Sequence, residues 1–275
     1  LEQYGFEPVA LHNEGVRAGH LRERFDVIVL ADMRPRTILE GYREGTVPPE
    51  YAGGIGEPGA ANLREFVEAG GTLVCFNAAC EFAIETLRLP VKDALDGVSR
   101  EEFFCGGALL TVEVARDLAE AGHPLVAGLP ERPVVMFEGS PAFDTKASFA
   151  GTVLARYPAD GSALASGFLL GPEELRGKAA ALEVVYGEGR VVLLGFRPQW
   201  RGQTHGTYKF FFNALFWSRG LPARVTPAAK PVPPGVARWA ELTEAVRDGL
   251  ADLVARNRDY HAARAGADAE RITAT

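Results

Sequence analysis

Two stretches of the sequence carry side chains that could do chemistry. One is Cys80, which follows a predicted buried strand and opens a predicted helix, a position where nucleophiles are often found. The other is the polar segment after the apolar run that ends at Phe196. Its candidate binding residues are Arg197, Gln199, Arg201, Gln203 and His205. Two arginines there could hold a carboxylate through paired hydrogen bonds, and His205 could serve Cys80 as a base.

Each of these features also has a purely structural interpretation. Cysteine is among the most often buried residue types, so Cys80 could lie on the inner face of its helix. The polar segment could fix the start of the helix that is predicted from Thr207. Residues 54–59 match G-x-G-x-x-G, but no strand precedes them and Pro58 lies inside the motif. We therefore interpret them as a surface loop that leads into a helix at Ala60.

The cysteines and histidines form no metal-binding or redox motif. Cys75, Cys80 and Cys105 show no C-x-x-C spacing, and the five histidines are scattered without an H-E-x-x-H pattern. These spacings predict no metal site and no cofactor in this chain.

Apolar runs and turn residues predict the elements that must position the candidate residues. Runs at residues 25–30 and 72–76 are typical of strands buried on both faces, and helices are predicted at 60–69 and 79–87. This alternation predicts a parallel sheet with crossover helices, closed by a helix over 207–219. The middle of the chain indicates a β-rich insertion. Its strands are predicted at residues 109–114, 134–137, 149–157, 163–169, 180–186 and 190–196.

The two ends of the chain are predicted separately. Residues 1–4 are typical of the last turn of a helix that ends at Gly5, and residues 6–11 of a short strand, so we expect the first strand of an α/β domain to be missing. Prolines indicate a stiff linker over 223–236, and helical spacing of apolar residues predicts an amphipathic helix after it. The predicted organisation is an α/β domain at 1–222, the linker at 223–236, and a C-terminal helix and tail at 237–275.

Composition excludes several classes of protein. The chain of 275 residues is 47% hydrophobic and 24% charged, which are values typical of globular proteins rather than disordered or fibrous ones. Its formal net charge of −7 argues against a nucleic-acid partner, because phosphate binding requires a basic face. No apolar run approaches the length of a membrane-spanning helix, so we predict no membrane span.

Three sequence runs carry a resemblance to a known family. They are residues 25–33 (FDVIVLADM), 63–74 (LREFVEAGGTLV) and 195–207 (GFRPQWRGQTHGT), and the loop at 51–56 agrees with them. These runs resemble the class I glutamine amidotransferase-like domain at the C-terminus of certain bacterial zinc carboxypeptidases. The resemblance covers most of residues 1–222. It implies a flavodoxin-like, doubly wound and mostly parallel α/β fold.

Residues that stand at the superfamily's catalytic positions have the wrong chemistry. Asn77 replaces the nucleophilic Cys of G-x-C-x-G, while Arg197 and Gln199 replace the His and Glu of F-H-P-E. Asp32 lies where a glycine pair would form the oxyanion hole. Arginine cannot accept a proton, and a carboxylate would repel a developing oxyanion. The resemblance thus implies no catalytic residue here. Because Asp32, Asn77, Arg197 and Gln199 follow neighbouring strands, we expect them to converge around an Arg197–Asp32 ion pair.

We therefore predict a non-catalytic accessory domain of a zinc metallocarboxypeptidase, which supports the peptidase or contacts its substrate. The resemblance implies an upstream peptidase domain in the same polypeptide, zinc in that domain, and a secreted or periplasmic location. Homo-oligomerisation stays open. Two alternatives remain. One is a cysteine-dependent amidase that uses Cys80 and His205, and the other is a carboxylate- or sugar-binding module that uses Arg197 and Arg201.

Overall fold

The computed structural model describes residues 1–202 and 204–217, apart from the side chain of Glu50. Its strands are β1 (Val27–Leu30), β2 (Thr72–Phe76), β3 (Val91–Asp93), β4 (Ala108–Thr111), β5 (Glu113–Val114), β6 (Val134–Phe137), β7 (Phe143–Thr145), β8 (Gly151–Arg156), β9 (Leu164–Ser166), β10 (Ala179–Tyr186) and β11 (Gly189–Leu194). Its α-helices are α1 (Asn13–Arg17), α2 (Leu21–Arg24), α3 (Pro35–Leu39), α4 (Gly56–Glu68), α5 (Ala79–Thr86), α6 (Arg116–Glu120) and α7 (Tyr208–Phe216).

The larger sheet has the order β1-β2-β11-β10-β7-β3, and β8 pairs with both β10 and β5. Strands β1, β2 and β11 are parallel, with Cys75 opposite Leu30 on one side and Leu193 on the other. Antiparallel pairing by β10 extends this parallel part of the sheet. A second, three-stranded sheet has the order β6-β4-β9. Together they form the predicted α/β fold with a β-rich insertion.

Both faces of the larger sheet are covered, as the continuous apolar strands predict. Leu73 and Cys75 of β2 face a core that also contains residues of α4 and α5. Val74 and Phe76 face the opposite core, which contains α7 and the β4–β6 strands. Because side chains alternate along a strand, one fully buried strand serves two cores. The doubly wound arrangement of the sheet is therefore confirmed.

Many predicted elements are present with small changes in their ends. The predicted strands at 72–76 and 134–137 match β2 and β6 residue for residue. The predicted strands at 180–186 and 190–196 correspond to β10 and β11, which form a hairpin in which Tyr186 pairs with Gly189 across a two-residue turn. Gly5 ends a short 3₁₀ turn, Glu2–Tyr4, in the left-handed conformation. The predicted linker and C-terminal helix lie outside the described residues.

Two local predictions are wrong. Residues 6–11 form no strand, because Pro8 interrupts them and the ring of Phe6 packs on Phe212 and Phe216 of α7 instead. The helix predicted from Ala60 begins at Gly56, so Pro58 lies in its first turn, where proline is tolerated.

The glycine-rich segment before α4 is required for packing. A Cβ at Gly54 would lie 2.2 Å from the carbonyl oxygen of Leu39, and one at Gly41 would lie 1.5 Å from that of Gly53. The two backbone segments therefore pass each other at a distance that only glycine permits. A short 3₁₀ turn, Pro49–Tyr51, precedes the segment instead of a strand. This agrees with our interpretation that the motif is no dinucleotide site.

Candidate functional site

Three parallel strands deliver polar side chains to one edge of the larger sheet. Asp32 follows β1, Asn77 follows β2 directly, and Arg197 follows β11. In open α/β sheets, ligands bind in the crevice outside the carboxyl ends of such strands. Asp32, Asn77 and Arg197 line one cleft of about 560 Å³ at this edge, as the topology predicts.

The turn between β2 and α5 has the backbone shape of a nucleophile elbow, in which a strand passes through a sharp turn into a helix. Asn77 has a φ of +49°, a left-handed conformation that is uncommon outside glycine, and only 1% of the residue is exposed. Its N–H donates to the carbonyl of Leu194, and Cys80 N–H donates to the carbonyl of Asn77. The strained strand–turn–helix geometry is present, but an amide stands where a nucleophile would be exposed.

The predicted ion pair between Arg197 and Asp32 is confirmed. Nε of Arg197 lies 2.7 Å from Oδ2 of Asp32. The N–H of that nitrogen is not aligned with the carboxylate oxygen, so the contact is an ion pair rather than an aligned hydrogen bond. Glu138 is a second acidic partner, because its Oε2 accepts a short hydrogen bond from Nη1 of Arg197. Arg197 thus lies between two carboxylates.

The second carboxylate oxygen of Asp32 accepts hydrogen bonds from the turn between β2 and α5, and we call the turn in this state the closed elbow. Oδ1 accepts hydrogen bonds from Nδ2 of Asn77, at 3.0 Å, and from the backbone N–H of Ala78, at 3.3 Å. In a working elbow, the N–H of the residue after the nucleophile is one of the oxyanion donors. Here that donor is Ala78 N–H, and it is occupied by a side chain of the same protein. Asp32 therefore removes the donor as well as repelling negative charge.

Glu138 and Ser140 belong to the site but were not predicted. Oγ of Ser140 donates to Oδ1 of Asn77 at 2.5 Å and accepts from the N–H of Glu138 at 3.0 Å. The carbonyl of Glu138 also accepts from Nδ2 of Asn77 at 3.4 Å. The sequence signal that could have indicated them is a polar Glu-Gly-Ser turn directly after the apolar run of β6. Ser140 is buried and Glu138 is half-buried. With Asp32, they bind both the oxygen and the nitrogen of the Asn77 side-chain amide.

The other polar residues predicted after β11 do not reach the cleft. Gln199 is exposed and does not line it, because the chain turns away after Pro198, whose carbonyl accepts from the hydroxyl of Thr207. The expectation that Gln199 joins the convergence is therefore wrong. His205 is exposed, with its ring 5.2 Å from that of Tyr208.

Arg197 and Arg201 both contact Trp200, but the cleft is lined by Arg197 and not by Arg201. Their guanidinium groups lie 4.5 Å and 5.1 Å from the ring centroid of Trp200. Arg201 has a φ of +49° within the 3₁₀ turn Trp200–Gly202, and its side chain is exposed.

Cys80 lies in the core, on the inner face of α5. It is fully buried, and its Sγ contacts the carbonyls of Cys75 and Leu194 at 3.3 Å and 3.5 Å. Burial raises the pKa of the Cys80 thiol well above its ordinary value, and burial also raises the pKa of Cys75. No described contact joins Cys80 to His205. The thiolate that an amidase mechanism needs is therefore disfavoured at this position.

The rim of the cleft differs in character from its floor. The floor consists of side chains joined by ion pairs and hydrogen bonds, namely Asp32, Asn77, Glu138 and Arg197. Arg34 and Arg100 line the rim and are exposed, and Phe104 and Met33 supply apolar surface. In residues 1–202 and 204–217, no three His, Cys, Asp or Glu side chains are grouped so that they could hold a metal ion. None of the helices within these residues has the length and apolar character that crossing a membrane requires.

Comparison with known proteins gives distant structural similarities. No protein-family model and no curated protein matches the chain. A cytoplasmic protein from Salmonella typhimurium is similar, with 17% identity, a TM-score of 0.49, and 79% of this chain and 83% of that chain covered. A putative GMP synthase subunit from Thermoplasma acidophilum has 12% identity and a TM-score of 0.47, with 78% and 83% covered. A putative ThuA-like protein from Bacteroides uniformis has 14% identity and a TM-score of 0.39, with 76% and 72% covered. Similarities at this level do not indicate what this chain does.

Proposed function

We propose that this chain carries a non-catalytic, amidotransferase-like domain that acts as an accessory domain of a zinc metallocarboxypeptidase. The observation that carries the non-catalytic part is the closed elbow. Asn77 stands in the nucleophile's position, and Asp32 occupies the N–H of Ala78 that an oxyanion would need. A side chain that could accept a proton from a nucleophile is replaced by Arg197, which is already paired with two carboxylates.

The peptidase context rests on the sequence resemblance of residues 25–33, 63–74 and 195–207. It implies a partner domain upstream in the same polypeptide, with its own zinc site, and a secreted or periplasmic location. An accessory role requires no turnover by this domain. The saturated hydrogen bonding of Asn77 and Asp32 agrees with such a role, because it favours a fixed floor over a reactive one.

The non-catalytic part can be tested on the chain itself. We expect no release of ammonia from glutamine, and no rapid labelling of Cys75 or Cys80 by iodoacetamide in the folded protein, since both residues are fully buried. The urea-unfolded chain, in which all three cysteines should react, is the control. Stoichiometric labelling of folded Cys80, or release of ammonia from glutamine above that of a protein-free blank, would contradict the proposal.

The accessory part requires the complete natural polypeptide. We expect its gene to encode a zinc carboxypeptidase domain before Leu1, and deletion of the present domain to lower peptidase activity or peptidase stability. Release of C-terminal amino acids and thermal unfolding of the peptidase domain are the measurements. A gene without a zinc peptidase, or a peptidase unchanged in both properties after the deletion, would overturn this part.

A further inference from the structure

We propose that the cleft binds the C-terminal end of a peptide whose last side chain is apolar or aromatic. Arg34 and Arg100 would hold the terminal carboxylate, and Phe104 would contact the side chain. This inference deepens the proposed function and rests on it, because it names the ligand that an accessory domain of a carboxypeptidase would contact at this site.

The first argument is the charge on the rim. Arg197 is neutralised by two carboxylates, but neither Arg34 nor Arg100 forms an ion pair within the part of the chain that the structure describes. The lining of the cleft therefore contains more arginines than carboxylates, although the whole chain has a net charge of −7. A local excess of positive charge on an acidic protein favours an anionic ligand. A guanidinium group suits a carboxylate, because it donates two parallel hydrogen bonds.

The second argument is the apolar surface beside these two arginines. Phe104 is 38% exposed, and its ring lies 6.4 Å from that of Phe168, which is 61% exposed. Leu170 is 40% exposed and is held next to Phe104 by backbone pairing. Arg100 lies 5.9 Å from the ring centroid of Phe104, so positive charge and apolar surface adjoin. A grouped, exposed aromatic surface next to a cleft is typical of a binding site.

The third argument is the size of the cleft and the hydrogen bonding of its floor. The cleft of about 560 Å³ is within the size range of small-molecule sites and can take one or two residues of a peptide. Asp32 and Asn77 already bond to each other and to Ala78 and Ser140, so they offer no reactive group to the ligand. The site is therefore suited to holding a peptide end without cleaving it. A neutral sugar could also stack on Phe104, but it would make no use of the charge on Arg34 and Arg100.

The test compares two probes that differ only at the carboxylate. N-acetyl-phenylalanine and its amide are titrated into the isotope-labelled chain, and binding is followed by chemical-shift changes in two-dimensional NMR. We expect the acid to bind at least about tenfold more tightly than the amide, the factor for one lost charged hydrogen bond. N-acetyl-glycine, which lacks the ring, should bind more weakly than N-acetyl-phenylalanine.

Variants locate the binding to the rim. Arg34→Gln and Arg100→Gln should each weaken binding of the acid by about tenfold, and Phe104→Ala should remove the preference for phenylalanine over glycine. Arg116→Gln is the matched control, because Arg116 is an exposed arginine that pairs with Glu120 and does not line the cleft. Its affinity should equal that of the unchanged chain.

Several outcomes would overturn the inference. These are equal binding of the acid and the amide, no binding of either, unchanged affinity in both rim variants, or binding of glucose or N-acetylglucosamine at the same residues in preference to the acid. None of these outcomes bears on the closed elbow or on the deletion experiment with the peptidase. The accessory role could therefore stand if this ligand is wrong.

Discussion

The structure contains two clusters of charged side chains that differ in where they lie. The elbow cluster consists of Asp32, Asn77, Glu138, Ser140 and Arg197 at the carboxyl ends of the strands. The sheet cluster consists of Glu183 and Arg190 on neighbouring strands β10 and β11, with His123 and Trp217 beside them. Oε1 of Glu183 accepts from Nη1 of Arg190 at 2.7 Å and from the indole N–H of Trp217 at 2.9 Å.

The clusters differ most in their access to solvent. The side chains of Glu183 and Arg190 are 8% and 5% exposed, whereas those of Asp32, Arg197 and Glu138 are 25%, 19% and 39% exposed. Removal of one partner from a buried pair is costly, because the remaining charge cannot be rehydrated. The elbow cluster borders an open cleft, so water or a ligand can replace a lost partner. The first arrangement suits stability, and the second suits a surface that meets other molecules.

The largest expected effect is at the sheet cluster. Glu183→Gln keeps the shape of the side chain but removes the charge that partners Arg190. We expect a loss of about 3–5 kcal/mol in the free energy of unfolding, the cost of breaking a buried pair by removing one partner. Urea unfolding measures it. The double variant Glu183→Gln/Arg190→Met should recover a large part of the loss, because it removes the buried cation together with the buried anion.

An exposed pair serves as the control for this prediction. Arg116 and Glu120 are 3.0 Å apart, and their side chains are 79% and 69% exposed. Glu120→Gln should change the free energy of unfolding by no more than about 0.5 kcal/mol. If Glu183→Gln behaved like Glu120→Gln, the distinction between the two clusters would have no energetic basis.

The elbow cluster should be affected less by the same kind of change. Arg197→Gln removes the cation that pairs with both Asp32 and Glu138, and we expect a loss of about 1.5–3 kcal/mol, the range for hydrogen bonds to charged groups. Asp32→Asn should cost less, because Glu138 still pairs with Arg197. Urea unfolding at low and high salt is the measurement, and the loss in the elbow variants should depend on salt more than the loss in Glu183→Gln, because salt screens buried charges less. A loss at Arg197 equal to that at Glu183 would show that the cleft is not open to water.

The strain at the elbow can be separated from its hydrogen bonds. Asn77→Ala and Asn77→Gly both remove the side-chain bonds to Asp32 and Ser140, but only alanine resists a φ of +49°. The glycine variant should therefore be the more stable by about 1–2 kcal/mol. Exposed Glu81 in α5 is the control, because glycine there should be the less stable replacement. If alanine were better at both positions, the elbow would hold no backbone strain.

The sequence predicts some strands and helices of the fold more accurately than others. The continuous apolar run at residues 72–76 is typical of a strand buried on both faces. The predicted ends of this strand are the ends of β2. Strands β3 and β7 have three residues each and are defined by pairing with one another, as at Asp93 and Phe143. The helices α1, α2 and α3 are likewise too short to show a helical period. Tertiary contacts, rather than local pattern, decide such elements.

The same distinction applies to the site. The Arg197–Asp32 pair was predictable, because both residues follow strands that the topology places side by side. Glu138 was not, because it follows β6 of the smaller sheet, and no periodicity indicates that this sheet meets the end of β11. That contact is set by packing, seen in the hydrogen bond from Arg197 N–H to the carbonyl of Met136. The resemblance of the sequence runs around β1, β2 and β11 therefore predicts the Arg197–Asp32 pair on the floor of the cleft. It does not predict Glu138, the third charged side chain there.

Asp93 differs from the carboxylates of both clusters. It is half-buried, and its described hydrogen bonds come from backbone groups alone. It accepts from the N–H of Leu95 at 3.0 Å and from that of Ala142 at 3.1 Å. Burial raises the pKa of Asp93, and the two backbone donors offset part of that rise. A carboxyl whose pKa is higher in the folded state binds its proton more tightly there. Its contribution therefore lowers stability as pH rises from about 4 through the raised pKa.

Asp93→Asn should show the smallest effect, with a sign opposite to that of the other variants. The amide oxygen can still accept from both backbone donors, but no charge has to be buried. We expect the variant to be slightly more stable than the parent chain at pH 7. The advantage should shrink as pH falls through the raised pKa of Asp93 toward about 4, because the folded protein then binds the proton and buries no charge at this position. Thermal unfolding across this pH range measures the difference. A stability loss at pH 7 of the size expected for Arg197→Gln would show that the charge of Asp93, not just its hydrogen bonding, holds the loop after β3. Asp93 would then belong with the paired carboxylates of the two clusters.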